Sequence, residues 1–153
     1  MSNGNQPVAG NLRLYNLALA VGSLNTMVAW YETVLGFTVT ERGRFDVVGA
    51  DFAMLESNGL RLELVTRTVG TLQAVDRTNP PDHLNVLGWK ALVLETDDLS
   101  ATTAFLIANI VEIVWADQQL TAERRSTMIR DPEGNLINIF GPRRVKGAIR
   151  DEA

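Results

Sequence analysis

Arg61 and Glu63 stand two residues apart in the stretch Leu60–Thr66, where Leu60, Leu62 and Leu64 alternate with Arg61, Glu63 and Val65. In an extended chain successive side chains point to opposite faces, so the two charges share one face and the leucines take the other. Arg61 can neutralise Glu63 as a structural ion pair. Otherwise Glu63 is a carboxylate able to hydrogen-bond a ligand or to move a proton as a general base. Asn138 is a second such position, in Leu136-Ile137-Asn138-Ile139-Phe140. Ile137 and Ile139 should face a core under a helix, which leaves Asn138 between Leu136 and Phe140 on the other face. That suits a pocket floor, although the pattern alone favours a solvated hairpin strand. The rest of the chemical repertoire is small. The chain has no cysteine, hence no disulfide, thiolate metal site or thiol nucleophile. Its one histidine, His83, excludes a two-histidine metal site within a single chain. Beside Pro80-Pro81-Asp82 it reads as an exposed loop residue.

The elements that must position these groups follow from punctuation and period. Residues 1–10 read as a disordered arm. Leu12–Val21 alternates as a strand, with Asn16 and Ala18 on one face. Ser23 can cap a helix whose stripe is Leu24, Val28, Tyr31 and Leu35, and Gly36 sits where a left-handed terminal residue belongs. Strands follow over Phe37–Arg44, Val47–Ser57 and Leu60–Thr66, the last two joined by Asn58-Gly59, a strong hairpin signal. Residues 68–86 connect, and Asn79-Pro80-Pro81-Asp82 cannot continue a helix or central strand. The order then repeats. Gly88–Thr96 is a strand with Trp89, Ala91 and Val93 on one face. Asp97-Asp98 caps a helix to Ala108, and Asn109 takes the place of Gly36. Strands follow over Val111–Trp115, Ser126–Arg130 and Leu136–Phe140. Pro132 and Gly134 or Asn135 make the turn before the last of them. Two runs of βαβββ order, about 75 residues apart, are an internal repeat. The residues after Gly141 read as a charged tail.

The chain is 153 residues long and 46% hydrophobic, enough for one ordinary core or two very small ones. A net charge of −4, with no basic patch, argues against nucleic acid as a partner. No apolar run approaches the roughly 20 residues of a membrane span, so no membrane partner is expected. The polar start Met1–Gly10 lacks the charged and apolar regions of a secretory signal, and a cytoplasmic protein is the expectation.

The repeat, with Trp30-Tyr31…Leu35-Gly36-Phe37, Thr96-Asp97-Asp98-Leu99 and Asp131-Pro132-Glu133-Gly134-Asn135 in that order, resembles the vicinal oxygen chelate superfamily of glyoxalases, bleomycin resistance proteins and extradiol dioxygenases. The resemblance implies an α+β fold spanning residues 11–141. Two βαβββ modules, 11–67 and 87–141, would curl mixed sheets around a cavity, with helices outside. It also implies that the metal-binding positions of the chelating members fall here on Asn16, Glu63, Ala91 and Asn138. Only Glu63 is a charged ligand, Ala91 has no donor atom, and the two amides are poor ligands for divalent transition metals. No metal and no cofactor are therefore expected.

The cavity wall so placed holds Asn16, Ala18, Arg61, Glu63, Trp89, Ala91, Asn138 and Phe140. Two rings, two amides and a gap at Ala91 suit a partly planar organic molecule. Three functions fit. One is a metal-free protein that binds a small organic ligand. The second is a cofactor-independent isomerase or lyase with Glu63 as general base and the amides on a substrate oxygen. The third is a metal-dependent lyase or dioxygenase, which the missing ligands disfavour. Assembly is readable from Leu99–Ala108, which carries no charge at all. Leu99, Thr103 and Leu106 suffice to face a sheet, and Ala101, Ala104, Phe105 and Ala108 are then apolar without a use inside one module. A homodimer is the expectation, with cover by the tail from Pro142 to Ala153 as the competing arrangement.

Overall fold

Asn58 and Gly59 hold φ of +48° and +80°, the conformation in which a two-residue turn matches the right-handed twist of its strands. The turn folds Ala50–Ser57 (β3) onto Leu60–Thr66 (β4), with Ser57 opposite Leu60 and Asp51 opposite Thr66. The computed structural model describes residues 12–71 and 78–144. The arm expected over residues 1–10, and the tail beyond residue 144, lie outside the described residues. Around the hairpin, Leu17–Ala20 (β1) pairs in parallel with β4, and Thr38–Phe45 (β2) pairs antiparallel with β3. The sheet order is β1-β4-β3-β2. Helix Leu24–Thr33 (α1) joins β1 to β2, burying Met27, Val28 and Tyr31 while it packs on β3 and β4. The face beneath it is apolar: Ala53, Leu55, Leu62 and Leu64 are all buried.

The second half repeats the pattern. Ala91–Glu95 (β5) lies parallel to Leu136–Phe140 (β8), which is followed in the sheet by Arg125–Arg130 (β7) and Glu112–Gln119 (β6). Helix Leu99–Ala108 (α2) packs on β6 and β7 and buries Leu99, Thr103 and Leu106, the stripe its sequence predicts. Beneath it lie Ile129, Ile137 and Ile139, together with a buried hydroxyl pair, Thr103 and Thr127, 2.6 Å apart. The fold is thus α+β, two βαβββ modules with a four-stranded mixed sheet each. The chain divides into two compact units, Met1–Gly70 and Thr71–Ala153. The boundary falls inside the 68–86 connecting segment.

Several local expectations need correction. β1 is Leu17–Ala20 rather than Leu12–Val21, because only those residues pair with Leu62–Val65, and Leu12, Leu14 and Tyr15 stay exposed. β5 likewise starts at Ala91, which leaves Trp89 outside the strand. β3 starts at Ala50, after a turn over residues 46–49, and β6 runs on to Gln119 through two register irregularities. Ser23 precedes α1 but makes no capping bond, since its hydroxyl donates to the Thr26 hydroxyl instead. Asp98 does cap α2, accepting from the Ala101 N–H at 2.9 Å. The left-handed residue after α2 is not Asn109 but Ile110, at φ +57°. His83 is buried rather than exposed, turned inward by a short 3-10 turn over Asp82–Asn85.

Candidate functional site

In the first unit, the face of the sheet away from α1 carries the polar groups. Parallel register places Ala18 beside Glu63, and antiparallel register places Met54 on the other side of Glu63 and Glu56 opposite Arg61. Asn16 extends this face just before β1 and donates from Nδ2 to Glu63 Oε2 at 3.2 Å. All four residues expected in this unit, Asn16, Ala18, Arg61 and Glu63, are therefore neighbours. The pairing is not the one considered from sequence. Arg61 turns to Glu56, Nη2 to Oε1 at 2.7 Å, and its guanidinium lies 4.7 Å from the Tyr15 ring. The hydrogen bond to Glu56 raises the Arg61 pKa above its ordinary value. Geometry explains the choice. A directly opposed cross-strand residue is about 5 Å away, whereas two positions along a strand is nearer 7 Å. Among the described residues, no cation pairs with Glu63.

Sequence reasoning missed the aromatic part of this face. Phe52 stacks on Phe45, with centroids 4.2 Å apart and planes at 16°. The Phe52 ring also lies over Gly43, where a Cβ would approach it to 2.9 Å. The readable signal is a glycine in the middle of a strand, which marks close approach by a neighbour.

In the second unit, register puts Ala91 beside Leu136, Val93 beside Asn138 and Glu95 beside Phe140, all on the face away from α2. Ala91, Asn138 and Phe140 share a face as expected. Trp89 does not join them on the strand; its side chain is 101% exposed. Asn138 is only 9% exposed, and its Oδ1 has no hydrogen-bond partner among the described residues. Phe140 is already covered on one side by the Arg124 guanidinium at 4.8 Å, which also pairs with Glu95 at 2.9 Å. Trp115 adds an indole N–H to this face, donating to Ser126 Oγ at 2.9 Å. The turn that presents β8 is tied by Asp131, which accepts from the Glu133 and Asn135 backbone N–H groups at 3.0 and 2.9 Å.

The donor set does not fit a resident divalent metal. Of the four positions that the resemblance assigns to chelation, Glu63 alone is charged, and one of its oxygens accepts from Asn16. Ala91 contributes nothing, and a neutral amide such as Asn138 competes poorly with water for a transition metal. Among the described residues, no three His, Cys, Asp or Glu side chains group so as to hold a metal ion. Nor is any helix there long and apolar enough to cross a membrane.

Comparison with known proteins gives a consistent result. The sequence model of the Glyoxalase/Bleomycin resistance protein/Dioxygenase superfamily matches residues 13–139. A glyoxylase/bleomycin resistance protein/dioxygenase domain from Frankia sp. is similar in structure, with a TM-score of 0.69, 20% identity, and 86% of this chain and 98% of that one covered. Glyoxalase I from Leishmania major aligns with a TM-score of 0.67 at 16% identity, covering 85% and 86% of the two chains. A virulence protein from Salmonella typhimurium aligns with a TM-score of 0.59 at 25% identity, covering 84% and 95%. No curated protein matches the sequence significantly.

Proposed function

Because the chain belongs to the glyoxalase/bleomycin resistance protein/dioxygenase superfamily, we propose that it is a metal-free member that binds a small, partly planar organic ligand through hydrogen bonds and ring contacts. It would act in the cytoplasm as a homodimer. The observation that carries this reading is the Asn16–Glu63 hydrogen bond. Two positions that would chelate in metal-dependent relatives are here bonded to each other, and what they offer a ligand is an amide and a carboxylate oxygen. Asn138, with its unpartnered Oδ1, supplies a second amide of the same character. Met54 and Phe52 supply apolar surface on the face of Glu63 in the first unit, and Leu136 on the face of Asn138 in the second, the mixture typical of sites for organic ligands.

A cofactor-independent isomerase or lyase is the second reading, favoured by a Glu63 carboxylate that pairs with no cation among the described residues and could serve as a general base. The test is native mass spectrometry of the full-length protein, purified without chelators, beside elemental analysis of the same sample. The expected result is an organic adduct that Glu63→Gln weakens. Near-stoichiometric zinc, nickel, iron or manganese would overturn the metal-free reading. An adduct that changes during incubation with the native protein but not with Glu63→Gln would favour the enzyme, a change in mass marking a lyase and a change in NMR spectrum at constant mass an isomerase.

A further inference from the structure

Glu63 is a half-buried carboxylate on the sheet face away from α1, and the nearest arginine in sequence is committed elsewhere. Arg61 holds Glu56 at 2.7 Å and rests against Tyr15 at 4.7 Å. Asn16 donates to Glu63 Oε2, but an amide brings no charge. The negative charge on this face is therefore not balanced by a cation among the described residues, and exposed Glu41, opposite Met54, adds a second on the same face.

The aromatic stack lies beside it. Met54 pairs with Glu63 and Phe52 with Val65, so Phe52 and Glu63 are diagonal neighbours on one face, about 7 Å apart. Phe52 is itself buried, over Gly43 and stacked on Phe45, so the accessible ring of the pair is that of the partly exposed Phe45. The geometry points to a ligand class: a planar organic cation whose N–H groups meet the Glu63 carboxylate while its flat part lies along the Phe45–Phe52 surface. An amidinium or guanidinium on a ring has this form. Charge-assisted hydrogen bonds to a carboxylate are the strong ones, and the ring faces attract positive charge. The inference rests on the ligand-binding reading and names the charge of what is bound.

Three probes of one shape test it: benzamidinium, benzamide and benzoate, with binding to the full-length protein followed by chemical shifts in amide NMR spectra. Benzamidinium should bind at least about tenfold more tightly than benzamide, the gain expected of a charged over a neutral hydrogen-bonded pair. Benzoate should bind most weakly. Glu63→Gln keeps an oxygen that can accept from Asn16, and it should abolish the preference for benzamidinium over benzamide. In the native protein, added salt should weaken benzamidinium and leave benzamide alone. Benzamide or benzoate binding as tightly as benzamidinium would overturn the cation assignment and leave the ligand-binding reading standing. So would a preference that survives Glu63→Gln in a folded variant. If none of the three binds, the cation assignment falls, and the adduct sought by native mass spectrometry decides the ligand-binding reading separately.

Discussion

A single residue can hold the wrong backbone for its side chain, and Ile110 does. Its φ of +57° lies in the left-handed region, where a branched Cβ crowds the following carbonyl. The position is set by the end of α2, where the Val111 N–H reaches back to the Leu106 carbonyl at 3.1 Å. At 93% exposure the side chain gains little from burial in return. Ile110→Gly should therefore stabilise the chain by about 1 kcal/mol, read as a higher urea midpoint with an unchanged slope. A lower midpoint would mean that Ile110 has a contact that compensates the strain. The sequence placed this turn one residue early, on Asn109, because asparagine tolerates the conformation better than isoleucine does. Residue preference is a local signal, and the turn obeys the helix it terminates. Arg61 was open to two readings for a related reason. Glu63 is close in sequence, but the decisive partner, Glu56, is brought opposite only by the β3–β4 register.

Elements were easier to read than their ends. Every helix and strand of both modules was visible from period and punctuation, because each buries one apolar face. Ile137 and Ile139 lie under α2 while Asn138 faces away, as the alternation requires. The ends depend on partners, which is why β1 stops where β4 stops pairing with it and why Trp89 falls outside β5. Helix caps show the same contrast. Asp98 bonds the Ala101 N–H, whereas Ser23 spends its hydroxyl on Thr26. Asp98→Ala should cost about 1 kcal/mol and Ser23→Ala only a few tenths. Equal losses in thermal or urea unfolding would contradict the assignment of a working cap to α2 alone.

For the whole molecule, the question is what covers the outer side of α2. Phe105 is 47% and Ile107 56% exposed, on a helix without a charge. Such surface commonly marks contact with another chain, and we propose the homodimer expected from the sequence. Sedimentation at tens of micromolar should give a dimer for the native chain and a shift towards monomer for Phe105→Glu. A monomeric native chain would end the proposal. If a chain truncated after Arg143 alone then aggregates, the tail was the cover. The two candidate faces were legible only in part. Their polar residues were visible because they interrupt apolar alternation, as Asn138 does. The Phe45–Phe52 stack and the Arg124 cover on Phe140 were not, since both depend on registers between strands.

Of the four positions that the resemblance assigns to chelation, Asn16, Glu63 and Asn138 carry hydrogen-bonding groups and Ala91 carries none, so we propose that the chain holds no resident metal. The most direct test is calorimetric titration of full-length, metal-stripped protein with Zn²⁺, Ni²⁺, Fe²⁺ and Mn²⁺ in turn. One carboxylate with neutral amides competes poorly with water, so no ion should show saturable one-to-one binding at micromolar protein. One equivalent of any of them bound tightly, with the heat lost in Glu63→Gln, would contradict the account.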